Sequence, residues 1–79
     1  MDQNKYVITE DNDVIIFSPA LKHEVFKSRN PISAGFVYLN VEDGKITAEC
    51  FGSSVSLGLE SRPSDSELVT RRLFRRSFF

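Results

Sequence analysis

Side chains able to do chemistry are few in this chain and far apart. His23 is the sole histidine and Cys50 the sole cysteine. One cysteine excludes both a disulfide framework and a cysteine-based zinc site. His23 and Cys50 fall on different predicted elements, and no third ligand accompanies them to complete a metal site. As a general base His23 would need a nucleophile. None of the serines sits in a Gly-x-Ser-x-Gly elbow. Beside Glu24, His23 reads as a solvent-facing polar residue. Cys50 reads as a small hydrophobe packed in the core, because a buried thiol without an activating charge is inert. The adjacent carboxylates Glu42 and Asp43 fall in a turn, where water solvates them. No phosphate-cradling glycine loop or EF-hand spacing occurs. An enzyme is the least supported class, and no cofactor or metal is expected.

Two constellations remain. Arg71, Arg72, Arg75 and Arg76 fall on one side of a predicted helix, as an anion-binding stripe for nucleic acid, membrane headgroups or an acidic protein patch. The plainer reading is a solvated face whose cations complement the C-terminal end of the helix dipole. Phe36, Tyr38 and Phe51 form an aromatic group on one face of a predicted sheet. That face is either covered by other parts of the chain or is a contact surface for a second copy or a partner. A base-stacking platform is a third reading, opposed by the acidic isoelectric point and by Glu49 beside Tyr38.

The elements that position these residues follow from turn chemistry. Lys5–Glu10 and Val14–Phe17 are rich in β-branched and aromatic residues, and Asp11-Asn12-Asp13 between them signals a hairpin. Ser18-Pro19 is a helix-start signature and Asn30-Pro31 a stop. Residues 18–30 therefore read as a short helix, with an irregular loop as the alternative. Asp43-Gly44 is a strong two-residue hairpin turn. It pairs Glu42 with Lys45, Val41 with Ile46, Leu39 with Ala48 and Val37 with Cys50. On the other face it pairs Asn40 with Thr47, Tyr38 with Glu49 and Phe36 with Phe51. A second turn at Gly52-Ser53 would add a third meander strand. Cys50 would then face Val55, Ala48 would face Leu57, Ile46 would face Leu59, and Gly58 would lie opposite Thr47. Ser64 and Glu67 form a predicted capping box for a helix over about 65–76, with Val69 and Leu73 as its core stripe and Ser66 and Thr70 beside them.

The fold class is thus α+β: an antiparallel sheet of about five strands, made of an N-terminal hairpin and a three-stranded meander. A C-terminal helix packs on one face, and a short helix can lie between strands two and three. The 79 residues make one small domain, with 77–79 as a disordered tail. The longest apolar run is Val14–Phe17, far short of the roughly 20 residues that span a membrane. The start of the chain lacks a secretory pattern. A cytoplasmic protein is expected, and no membrane partner. The charge is asymmetric: Asp2, Glu10, Asp11 and Asp13 oppose only Lys5 at the start, whereas five arginines oppose Asp65 and Glu67 over 62–79.

The leading functional expectation is a small non-enzymatic protein-interaction or regulatory module, homodimeric, docking through Phe36, Tyr38 and Phe51, through a strand edge, or through Phe74, Phe78 and Phe79. The alternatives are a nucleic-acid binder using the arginine stripe and an accessory domain of a larger enzyme complex.

Overall fold

The computed structural model describes residues 3–76, with side chains as far as Leu73. The expected disordered tail at 77–79, with Phe78 and Phe79 of the apolar end, lies outside the described residues, and of Phe74 only the backbone is described.

The fold is α+β. Strands β1 (Gln3–Thr9), β2 (Val14–Phe17), β3 (Pro31–Glu42) and β4 (Lys45–Phe51) form one antiparallel sheet in the order β2-β1-β3-β4. A small second sheet pairs β5 (Ser53–Ser54) with β6 (Leu59–Glu60), and helix α1 (Asp65–Arg76) closes the described chain. Between β2 and β3 runs a 3-10 helix, His23–Arg29. Asn30 stops it in a left-handed conformation at φ 54°, a geometry that Asn tolerates and most residues do not.

The turn signals set the sheet. In the first hairpin the Thr9 N–H donates to the Asp13 carbonyl, with Asn12 at φ 63° closing the loop. Asp43 and Gly44 both hold positive φ, 52° and 76°, as a primed two-residue turn requires. The β3–β4 register is the one this turn dictates, from Glu42 opposite Lys45 to Phe36 opposite Phe51.

Alternation gives the sheet two faces. On one, Tyr6, Ile8, Val37 and Ala48 bury against Val69 of α1, joined by Leu68 and Leu73. On the other, Val7, Phe17 and Ala34 are covered by Phe26 of the 3-10 helix and by Leu57 and Leu59.

The third meander strand is the main correction: the large sheet has four strands, not five. Beyond Gly52, β5 pairs with β6 instead of with β4. The reason lies on the β4 edge. The Ala48 N–H donates to Thr70 Oγ1 at 2.9 Å and the Cys50 N–H donates to Ser66 Oγ at 2.8 Å. Helix hydroxyls occupy the positions a fifth strand would need. Leu57 and Leu59 pack instead under the second face, Val55 is 94% exposed, and Gly58 sits in a turn with nothing near its missing Cβ. The chain leaves the sheet where the Phe51–Gly52 backbone crosses Gly35. A Cβ on Gly35 would lie 2.4 Å from the Phe51 carbonyl oxygen, so only glycine fits.

The helix start also differs from the expected box. Glu67 reaches forward to Arg71. Asp65 Oδ2 takes the reaching-back role, accepting from the Arg62 N–H at 2.9 Å.

Candidate interaction site

The aromatic residues form a row. Phe36 and Phe51, direct neighbours across β3 and β4, stack with ring centroids 5.9 Å apart, and Tyr38 stacks on Phe51 at 5.4 Å. The row continues through edge-on contacts, Phe36 to His23 at 5.8 Å and His23 to Phe17 at 5.5 Å, and then to Phe26 at 4.6 Å from Phe17. Cover falls off along it. Phe17 is buried under the 3-10 helix and Phe36 is half-buried, whereas Tyr38 and Phe51 are 38% and 37% exposed. Neither the 3-10 helix nor the β5–β6 hairpin covers this end.

His23 is a correction. Its ring is buried between Phe17 and Phe36, and its Nε2 lies 2.8 Å from the Gly35 carbonyl oxygen. At the start of the 3-10 helix it fastens that helix to β3. A shallow groove of about 750 Å³ runs beside it, lined by Lys5, Lys22, Phe36, Gly52 and Val55. Lys5 Nζ donates to the Leu21 carbonyl at 2.8 Å, which holds the groove wall.

The two described arginines of the stripe diverge. Arg71 pairs with Glu67 on the solvent side of α1, whereas Arg72 turns toward the edge of β2 beside Leu73. Arg75 and Arg76 lie on the last turn of α1; their side chains fall outside the described residues.

Cys50 is half-buried and faces Val37 as expected, but not Val55. Burial pushes its thiol up to about 11, with the Asp65 charge adding to the effect. It is a protonated thiol at neutral pH, which is a packing role rather than a nucleophilic one.

A buried polar network went unseen in the sequence. Tyr6 Oη donates to Asp65 Oδ2 at 2.6 Å, and Arg62 Nε donates to Asp65 Oδ1 at 2.8 Å. The Asp65 side chain has no exposed surface. Burial raises its pKa, but hydrogen bonds from the Arg62 N–H, Tyr6 and the Arg62 guanidinium outweigh that and hold it below its ordinary value. The buried Ser33 hydroxyl assists without completing a hydrogen bond of good geometry. Burial first, and the bond to Asp65 second, push the Tyr6 phenol far up. The network ties the start of α1 to the middle of the sheet. Among the described residues no group of three or more His, Cys, Asp or Glu side chains is placed to hold a metal ion. No helix among them is long and apolar enough to cross a membrane.

In comparisons with known proteins, the chain matches no family model, no curated protein and no solved structure.

Proposed function

We propose that this protein is a small non-enzymatic interaction module that self-associates through its aromatic face. The observation that carries this reading is the stacked row Phe36–Phe51–Tyr38, which loses cover toward one end of the sheet while Val7, Phe17 and Ala34 of the same face are buried by the chain itself. Exposed, contiguous aromatic surface marks contact sites, and aromatic residues dominate the energetics of such contacts.

A second copy suits the patch. Closed dimers use one self-complementary surface twice. The rim carries Lys5 opposite Phe36 and Glu49 opposite Tyr38, one charge of each sign, so two copies related by a two-fold axis need not repel. Glu49 beside the rings disfavours a polyanion there. The groove along Lys5, Lys22 and Val55 extends the contact area beyond the three rings.

The test is light scattering at micromolar concentration on the native chain and on the Phe36→Ser plus Phe51→Ser double variant. A dimer that the double variant reduces to a folded monomer supports the reading. A native monomer, or a dimer indifferent to the substitutions, removes it.

A further inference from the structure

The sheet ends in two edges, and the chain treats them differently. Along β4 the outward N–H groups of Ala48 and Cys50 are capped by hydroxyls of α1. This is how a protein hides a strand edge from other chains. Along β2 nothing comparable happens. The Thr9-to-Asp13 turn bond fixes the alternation of the first hairpin: Ile15 and Phe17 bond toward Val7 and Lys5 of β1, and Val14 and Ile16 turn their backbone groups outward. Among the described residues neither of those two N–H groups donates to any turn, loop or side-chain partner.

This open edge forms the floor of a groove of about 450 Å³. Arg72 and Leu73 of α1 wall it on one side, and Arg29, at the end of the 3-10 helix, on another, with Asp13 the one acidic residue in the lining. Arg72 has no ion-pair partner among the described residues. Arg29 has only Asp13, at 3.9 Å, with both side chains more than half exposed. Such a pair is weak and exchangeable.

We propose that the β2 edge is a strand-addition site for an extended segment of another protein that alternates apolar and acidic residues. Its backbone pairs with Val14 and Ile16, its carboxylates, all on the face turned to α1, meet Arg72 beside Leu73, and its apolar side chains lie on the opposite face against Ile15 and the aliphatic stem of Arg29. Main-chain bonds supply affinity in this mode and the flanking side chains supply selectivity. Charge decides the occupant. A second copy of β2 would bring the same excess of positive charge to the groove, Arg29 and Arg72 against the single Asp13, placing like net charges together. The site is separate from the aromatic face and does not depend on that face self-associating.

The experiment is a titration of the 15N-labelled native chain with a short, end-blocked peptide alternating glutamate and valine, alongside the same peptide with lysine for glutamate. The expected result is that the glutamate peptide shifts the Val14 and Ile16 amides and slows their hydrogen exchange, while the lysine peptide does neither. Arg72→Glu weakens the effect by about tenfold or more, and Ile16→Pro, which deletes one outward donor, abolishes it. Should Ile16→Pro fail to fold, Arg72→Glu decides alone. Equal response to both peptides, no response of the β2 amides, or indifference to Arg72→Glu overturns the proposal. So does protection of these amides in the protein alone at high concentration, because a second copy then fills the edge.

Discussion

Asp65 is the residue on which the two ends of the fold meet. Its buried carboxylate accepts from Tyr6 and from both the backbone and the guanidinium of Arg62. Removing the phenol by Tyr6→Phe should cost about 1.5–3 kcal/mol, the usual range for a buried hydrogen bond to a charge, read from urea melts. The same variant should begin to unfold at higher pH in an acid titration, because the Tyr6 bond is one cause of the lowered Asp65 pKa. The sign follows from proton uptake. A carboxylate with a folded pKa below its unfolded one stabilises above the unfolded value of about 3.9. That stability is lost as pH falls through the folded value. Cys50 and Tyr6 act in reverse. Their raised folded values mean that stability declines as pH climbs past the unfolded thiol value of about 8.5 and the unfolded phenol value of about 10. Circular dichroism melts across pH should therefore show a plateau near neutrality with a fall on each side. At Gly35 the expectation is steric. Gly35→Ala drives a methyl against the Phe51 carbonyl and should destabilise by about 1–3 kcal/mol, the range for overpacking, also visible in urea melts.

Among the elements, β4 and α1 depend on each other. Ser66→Ala or Thr70→Val strands one β4 amide without its partner and should cost roughly 1 kcal/mol each. Amide exchange should rise at Cys50 in the first variant and at Ala48 in the second. What was legible in the sequence follows the same physics. The Asp43-Gly44 turn fixes its own hairpin because local positive φ and cross-strand pairing agree, and every β3–β4 pair follows. The stripe through Val69 and Leu73 and the flanking Ser66 and Thr70 were likewise readable. Gly52-Ser53 looked equally good locally. It failed because the edge it needed is held by residues more than a dozen positions further on. His23 was misread as exposed because nothing in its neighbours announces the gap between Phe17 and Phe36 that its ring fills. The Tyr6–Asp65 bond joins residues 59 apart, with no spacing signal to betray it.

At the scale of the molecule, the division between covered and uncovered aromatic surface organises the functional reading. Half of the second face is roofed by the chain's own 3-10 helix and β5–β6 hairpin. The roof stops at Phe36, and Tyr38 and Phe51 stand beyond it. The aromatic group was legible before the fold, from cross-strand pairing alone; the roof was not, because it depends on where β5 and β6 go. The most direct check is an isotope-filtered NMR experiment on a mixture of labelled and unlabelled chains, which sees only contacts between copies. Cross-peaks from the Tyr38 and Phe51 ring protons of one copy to the other are the predicted result. A spectrum empty of such contacts, or one in which the contacts between copies fall only on β2 or α1, would contradict self-association through this face.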